Sequence, residues 1–276
     1  MTGHIIFLSI LLSLGTLYAQ NGVDTALIKE LGVKNMKVYV KIPILNNKTV
    51  KDSCLVEEYS WDTSGRLIFD MENLKCYGWD GKTENRHVFN KEGFLALTHQ
   101  IKNGDNILVK YSYNERKDLI KILQRNEANN DSFVTLNQYF YEDNKVVEQK
   151  TMNIYGYDTT IFIMKYAFDT ADNVSEINTY DGEGNLMERQ TFQITPISKK
   201  LLEFSTEVKL PKKHYTKAWN YYDFDARLFK TQYSNNSWTD FFYYENGLLQ
   251  SAVYYNVDGT LSSIKIHTYE FHDGDQ

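Results

Sequence analysis

The chain has 276 residues, 42% of them hydrophobic, and a formal net charge of −6. A chain of this length can bury a substantial core as one large domain or two smaller ones, and its negative charge argues against a nucleic-acid binder. The 21 Tyr, 15 Phe and 4 Trp, set against only 3 Pro, are typical of strands and predict an all-β fold.

Residues 1–19 are predicted to form a secretory signal peptide. The run from Ile5 to Leu17 is mostly apolar, and the small residue Ala19 precedes Gln20, although the start of the chain lacks the usual Lys or Arg. The apolar run is short for a membrane span, and no later stretch is longer. We therefore expect an exported protein, located in the periplasm, on the cell surface or outside the cell, that does not span a membrane after signal removal.

Residues 20–52 are predicted to form an N-terminal cap made of a short helix and a first strand. The apolar residues of the helix are Leu27, Ile28 and Leu31, and a glycine follows them as a stop signal. A strand with alternating apolar residues comes next and ends before Pro43. We expect the helix to cover the first edge of a sheet, because an unprotected edge strand can pair with another chain.

The stretch from Tyr59 to Leu67 predicts a β-hairpin. Asp62 can accept a hydrogen bond from a backbone N–H within the turn, and Gly65 can take the left-handed conformation that closes it. The flanking residues alternate between apolar and polar, as in a strand with one buried face. A single hairpin is marginal in water, so this one needs neighbours.

Degenerate copies of this hairpin recur through residues 53–276. They are residues 87–95, 111–119, 139–146, 166–174, 179–186, 221–228, 242–248 and 254–261. Two copies have asparagine in place of the expected glycine. One places Asn144 and Lys145 at the turn, and the other has Asn173. Asparagine is a sensible replacement because it tolerates the left-handed conformation. Copies repeated at short intervals indicate one unit stacked on the next. The sequence therefore predicts antiparallel β-hairpin repeats in a long, twisted and curved meander sheet that could roll toward a barrel.

The turn motif is missing from residues 187–219, which we predict to be an irregular insertion. Alternating stretches remain there, and Pro196 and Pro211 interrupt them. A long connection, an edge crossover or a break between two blocks of repeats would each fit. Function often resides on such segments.

The motif resembles the YD repeat of RHS-type secreted proteins, Tyr-Asp-x-x-Gly-Arg-Leu. Trp61–Leu67 and Tyr222–Leu228 carry the likeness, which extends over about Cys54–Tyr269. The resemblance implies a β-strand repeat in an exported protein, in that family often a shell or a cell-surface interaction module. The chain lacks the size of the family's shells, so the shell role is not carried over. The Ala19-Gln20 ending is similar to the start of many exported Bacteroidetes proteins.

The only cysteines are Cys54 and Cys76. In an oxidising compartment they could form a disulfide across the first hairpin, but the hairpin register places Cys54 near Asn73 instead. Two buried free thiols are the alternative. The pair has no histidine at zinc-finger spacing, and we predict neither a metal site nor a cofactor.

Tyrosines are the candidate binding residues. Several copies carry aromatic residues on both faces of a strand, so these strands are either covered on both sides or expose an aromatic patch. The candidates are Tyr139, Tyr141, Tyr221, Tyr222, Tyr243 and Tyr244. Exposed tyrosines can stack on sugars or bury into a partner protein, whereas the alternative is that they belong to the core.

No GxSxG, HExxH, Walker or GxGxxG pattern is present in the sequence. We therefore predict an exported, non-enzymatic interaction or structural module of the cell envelope, with an envelope protein or a glycan as its partner. The alternative is a secreted, glycan-active hydrolase whose carboxylates converge from separate hairpins, because glycoside hydrolysis needs two facing carboxyl groups.

Overall fold

The computed structural model describes residues 25–42, 53–198, 201–209, 215–223, 225 and 227–272. The predicted signal peptide lies outside these residues. The described chain is all-β and has one α-helix, α1 (Thr25–Glu30), and one 3₁₀ helix (Leu74–Tyr77). The strands are β1 (Val33–Lys41), β2 (Cys54–Trp61), β3 (Leu67–Asn73), β4 (Lys82–Phe89), β5 (Leu95–Lys102), β6 (Asp105–Tyr113), β7 (Leu119–Asn126), β8 (Ser132–Glu142), β9 (Lys145–Tyr155), β10 (Asp158–Phe168), β11 (Val174–Asp181), β12 (Leu186–Ser198), β13 (Leu201–Lys209), β14 (Tyr215–Tyr222), β15 (Leu228–Tyr233), β16 (Trp238–Tyr243), β17 (Leu249–Tyr255) and β18 (Leu261–Phe271).

The strands form one antiparallel sheet in which each strand pairs with the next along the chain. The first strand also pairs with the last, because β1 lies between β2 and β18. Val38, for example, is opposite Glu57 on one side and His267 on the other. Each described strand therefore has a hydrogen-bonded neighbour on both sides. The predicted antiparallel meander is confirmed.

The first hairpin turns as its sequence predicts. The Asp62 N–H donates to the Arg66 carbonyl at 2.9 Å, and the Gly65 N–H donates to the Asp62 carbonyl at 2.9 Å. The Asp62 carboxylate also accepts from the Ser64 and Arg66 amides. The same pair of backbone bonds recurs in the turns that begin at Asn90, Asn114, Asp169, Asp181, Tyr233, Tyr244 and Asn256. The repeat in sequence is therefore a repeat in backbone geometry.

One turn places the left-handed residue one position earlier than predicted, and another uses the predicted Asn144 together with Asp143 instead of Lys145. In one, Asp172 has φ 67, while the Asn173 amide donates to the Asp169 carboxylate at 2.9 Å. In the other, Asp143 and Asn144 have φ 49 and 64 and form a two-residue turn. The turn geometry fixes which position must be left-handed, and aspartate tolerates that conformation as asparagine does.

Tyrosine hydroxyls link one hairpin to the next. In each link, a tyrosine donates to the backbone carbonyl of the residue that follows an earlier turn. The links are Tyr113 to Leu95 at 2.9 Å, Tyr139 to Leu119 at 3.0 Å, Tyr243 to Leu228 at 2.8 Å and Tyr269 to Leu249 at 2.8 Å. These bonds explain why the repeat uses tyrosine, since phenylalanine could not form them.

Basic residues provide a second link between hairpins. A lysine or arginine at or just after a turn lies over an aromatic ring of a later strand. The pairs are Arg66 with Phe89 at 5.3 Å, Arg116 with Tyr141 at 4.5 Å, Lys145 with Phe168 at 5.4 Å and Arg227 with Tyr243 at 5.9 Å. Each such contact contributes about 0.5–1 kcal/mol at an exposed site.

The main apolar core lies between α1 and the sheet. Its buried members are Ile28, Val33, Met36, Val38, Val40, Val56, Trp61 and Leu248. The helix packs on a face of β1, which we call the helix face, and both edges of β1 are paired. The helix therefore covers a face of the sheet, whereas the sequence suggested that it would cover an edge.

The described residues of 187–219, which are 187–198, 201–209 and 215–219, continue the meander as β12, β13 and the first part of β14. Phe192 is opposite Thr206, and Thr206 is opposite Ala218, so the ladder passes through this segment in register. The sequence predicted an irregular insertion because the turn motif is absent, but strands need only alternation and pairing partners.

Cys54 and Cys76 form a disulfide, with their Cα atoms 5.7 Å apart. The hairpin register alone does not bring them together. The chain leaves β3 after Asn73 and coils as the 3₁₀ helix, which returns Cys76 toward Cys54. The Asn73 side chain caps this helix by accepting a hydrogen bond from the Lys75 amide at 3.2 Å.

Gly65→Ala is expected to destabilise the protein more than Gly93→Ala. Both glycines have positive φ, 79 and 87, so alanine at either costs about 1 kcal/mol. A Cβ on Gly65 would also lie 2.7 Å from Cβ of Lys29 in α1, whereas one on Gly93 would meet nothing within 4 Å. Such crowding costs a further ~1–3 kcal/mol. Urea unfolding measures both free energies, and equal losses would contradict the contact between the turn and the helix.

Replacing Cys54 and Cys76 together by serine is expected to lower the free energy of unfolding by about 3 kcal/mol, because the bridge restricts the unfolded chain. A reductant should lower the urea midpoint of the wild type to that of the variant. The variant serves as its own control, since reductant should leave its midpoint unchanged.

Candidate functional site

The six tyrosines predicted as binding residues do not form one patch. They lie in three pairs. One pair is near the end of β8, the second is at the end of β14, and the third is at the end of β16 and the start of the turn that follows it. Because the strands alternate in direction, these positions share one end of the sheet, and five strands separate the pair on β8 from the others. Tyr222 and Tyr243, by contrast, pack against one apolar cluster formed by Leu228, Phe241, Leu249 and Ala252. The structure therefore does not bring the six together.

Most of these tyrosines have contacts within the sheet. Tyr139 and Tyr243 form the links between hairpins, and burial raises the pKa of each to about 12, with Asp118 and Asp223 adding to the effect. Tyr222 packs against a second apolar cluster, and burial raises its pKa.

The remaining three also have neighbours. The Tyr141 ring lies under Arg116, and the Tyr221 ring centre is 6.3 Å from that of Phe229. Tyr244 is 37% exposed, and its hydroxyl donates to the His267 carbonyl at 3.1 Å.

Away from the apolar core, the helix face is strongly polar. His87 Nε2 lies 2.6 Å from Asp70 Oδ2, and His87 Nδ1 lies 2.9 Å from Thr98 Oγ1. Thr98 in turn bonds the Tyr111 hydroxyl at 3.3 Å. An acid, a histidine and a hydroxyl in series are the parts of a nucleophilic site. Thr98 is only 3% exposed, however, so a substrate could not reach its oxygen.

A half-buried ion pair lies on the same face beside β1. Lys265 Nζ is 2.6 Å from Glu57 Oε1, although the two residues are 208 positions apart in sequence. Burial alone would lower the pKa of Lys265, but Glu57 outweighs it and raises that pKa above its usual value. The pair therefore keeps its charges.

Two tyrosines approach this ion pair from different elements. Tyr77 follows Cys76 on the 3₁₀ helix, so the disulfide holds it near Lys265; partial burial raises the pKa of Tyr77, and Lys265 opposes the rise. Tyr254 on β17 behaves in the same way, because burial raises its pKa and Lys265 opposes this. Both hydroxyls therefore stay protonated at neutral pH.

Tyr254 also lines an open pocket of about 640 Å³ at the edge of this face. The pocket lies at one end of β15, β16 and β17, which we call the pocket rim; it is opposite the end that holds the six predicted tyrosines. Its lining residues are Tyr233, Asn235, Ser237, Trp238, Thr239, Tyr254, Tyr255, Asn256, Val257, Asp258 and Ser262. A volume of this order is typical of small-molecule sites.

The small side chain of Thr239 helps to leave this space open. Thr239 is opposite Tyr254 on β17, and Tyr233 is on the neighbouring strand β15. The residue directly opposite Thr239 on β15 is Thr231, and Tyr233 lies two residues farther along that strand, diagonal to Thr239. Trp238 stacks on Tyr255, with ring centres 4.7 Å apart, and Lys230 lies over the Trp238 ring. Both faces of the Trp238 ring are thus occupied by neighbours.

Sequence reasoning missed the pocket. Tyr233, Thr239 and Tyr254 look like ordinary alternating strand residues, and nothing in a single sequence shows that the strand of Thr239 lies between the strands of the two tyrosines. The available signal was weak: two polar turns, residues 234–237 and 256–260, fall at the same end of the meander.

No protein-family model matches the chain, and no curated protein matches it. Among solved structures, the chain is similar to a porin-like protein from Bacteroides uniformis, with a TM-score of 0.43 and 11% identity over 87% of this chain and 97% of that one. It is also similar to a chain in the TcdB2-TccC3-Cdc42 structure, with a TM-score of 0.33 and 10% identity over 82% of this chain and 14% of that one. Neither likeness identifies a family or a function.

The described part of the chain contains no helix with the length and hydropathy of a membrane span. In the same residues, no three His, Cys, Asp or Glu side chains gather in a group that could hold a metal ion.

His267 is expected to make the protein less stable in mild acid. The side chain is 3% exposed, and burial, aided by Lys265, lowers the pKa of His267 to about 4 although Glu57 opposes the shift. The unfolded chain binds this proton near pH 6.5, so the stability from neutral His267 is present above pH 6.5 and is lost as the pH falls toward 4. The loss is at most about 3 kcal/mol.

Urea unfolding at pH 7.5 and pH 4.5 tests this, with His267→Asn compared to the wild type. The drop in unfolding free energy between the two pH values should be smaller in His267→Asn. The exposed His99 offers a control, since His99→Asn should keep the wild-type drop. An unchanged drop in His267→Asn would contradict the prediction.

Proposed function

We propose that the protein is an exported, non-enzymatic binding module of the cell envelope, and that it binds its ligand in the open pocket at the end of β15, β16 and β17. The observation that carries the proposal is an open pocket of about 640 Å³ with tyrosine walls and polar turns around it. Binding sites combine apolar and aromatic surface with a few placed polar groups in this way. The resemblance to the YD repeat, a repeat used in exported interaction modules, agrees with the proposal.

The state of the acidic groups on the helix face supports binding over catalysis. A glycan-active hydrolase needs two carboxyl groups that face each other across a substrate. Glu57 is paired with Lys265, and Asp70 with His87. Burial and the charge of Glu57 raise the pKa of Glu72, but the carboxylate opposite Glu72 is the one that Lys265 pairs with. Asp258, in the pocket itself, accepts hydrogen bonds from the Thr260 amide and hydroxyl, which lower its pKa.

The proposal moves the binding surface from the six predicted tyrosines to the pocket. Tyr139, Tyr243 and Tyr244 use their hydroxyls inside the sheet. By contrast, the structure shows no hydrogen bond from the Tyr233 or Tyr254 hydroxyl to another described residue. Those two groups are therefore available to a ligand.

Co-sedimentation of the purified mature protein with isolated Bacteroidetes cell envelopes tests the proposal. The wild type should sediment with the envelopes, and Tyr233→Ala should weaken this binding about tenfold, as loss of an aromatic anchor does. Tyr155→Ala is the matched control, because Tyr155 is an exposed tyrosine at the same end of the sheet but outside the pocket.

The same incubation distinguishes binding from catalysis. A binding module should release no new reducing ends and no peptide fragments from the envelopes. Release that requires the protein would favour the hydrolase alternative, and a wild type that stays in the supernatant would overturn the proposed function.

A further inference from the structure

The chemistry of the pocket lining indicates which class of ligand it accepts. Apart from its aromatic walls, the lining offers hydroxyl groups from Ser237, Thr239 and Ser262, amides from Asn235 and Asn256, and one carboxylate, Asp258. None of the lining residues is Lys, Arg or His. A phosphate, a sulfate or a uronate would therefore meet a carboxylate and no cation, which disfavours anionic ligands.

Two cations lie near the pocket without lining it. Lys230 lies over the Trp238 ring, 5.4 Å from its centre, and Lys265 is paired with a carboxylate. The Lys265 ammonium group is 2.6 Å from Glu57, and its side chain is 19% exposed. Since Tyr254 lines the pocket and lies close to this ion pair, the pair supplies no net charge to a ligand. A neutral ligand is thus favoured.

The sheet itself argues against an extended peptide as the ligand. Peptides commonly bind β-proteins by adding a strand to a free edge. In the pocket region, β16 is paired with β15 and with β17, and β17 is paired with β18, so no edge is available to a peptide.

A saccharide uses what the pocket does offer. A sugar ring presents a face of C–H groups, which pack on an electron-rich aromatic face, and a rim of hydroxyls that both donate and accept hydrogen bonds. Tyr233 is 37% exposed and provides ring surface, while the Tyr254 hydroxyl remains protonated and can donate. Asn256 adds an amide whose NH₂ group donates to Thr260 Oγ1 at 3.0 Å, which leaves its second N–H and its oxygen for a ligand.

We propose that this pocket is a binding site for an uncharged saccharide, with Tyr233 packing on the sugar ring and the hydroxyl of Tyr254 donating to a sugar oxygen. The inference rests on the proposed function and names the ligand class of the same site.

A printed array of neutral and acidic glycans, followed by calorimetric titration with the free oligosaccharide of the strongest neutral spot, tests this. The wild type should bind neutral glycans and not acidic ones. Tyr233→Ala should weaken binding about tenfold, and Tyr254→Phe about fivefold because it removes a single hydrogen bond while keeping the ring. Tyr155→Ala should bind as the wild type does.

The outcomes separate this inference from the proposed function. Sedimentation with envelopes that the neutral oligosaccharide fails to displace would overturn the saccharide site and leave the binding module intact. Preference for acidic glycans, no binding to neutral ones, or wild-type affinity in both Tyr233→Ala and Tyr254→Phe would also overturn it. Tyr254→Phe keeps the test valid if Tyr233→Ala folds poorly, since it is nearly isosteric.

Discussion

The position of β1 between β2 and β18 is the constraint on which the rest of the structure depends. Side chains alternate along a strand, so pairing fixes which residues of neighbouring strands share a face. Val38 shows how β1 aligns both ends of the meander. It is opposite Glu57 on β2 and His267 on β18, so these three side chains share one face. The ion pair between Glu57 and Lys265 forms because β1 pairs with β2 on one side and with β18 on the other, which brings the two residues onto one face.

The same pairing explains why the apolar core is concentrated at this place. The largest buried apolar cluster contains four residues of β1, and α1 covers them. Elsewhere the helix face buries threonine, asparagine and glutamine, such as Thr135, Asn137 and Gln149. Buried polar groups stabilise a fold only when they are hydrogen-bonded. Asn137 meets this need by donating to the Leu119 carbonyl and accepting from Thr151.

Much of the fold could be predicted from the sequence because turn chemistry is local. Asp62 and Gly65 are three residues apart, and their roles follow from backbone geometry within that span. The links between hairpins are less local, since Tyr243 and Leu228 meet only once the neighbouring strands β15 and β16 are in register. The motif shows that tyrosine recurs but does not show what its hydroxyl contacts.

The disulfide and the candidate site lay beyond prediction for a related reason. Cys54 and Cys76 depend on a short 3₁₀ helix that departs from the hairpin register. The pocket depends on three strands whose side chains must be compared across the sheet, with Thr239 beside Tyr254. One sequence contains the residues but not the register that brings them together.

In this chain, tyrosine serves two purposes that the sequence alone cannot separate. The hydroxyls of Tyr113 and Tyr139 each bond an earlier hairpin and cannot also bind a ligand without breaking that bond. Tyr233 and Tyr254 lie at the opposite end of the sheet, where, among the residues that the structure describes, no backbone carbonyl accepts a hydrogen bond from either hydroxyl. A hydroxyl that the repeat does not use is left for recognition, which is why the binding proposal belongs at that end.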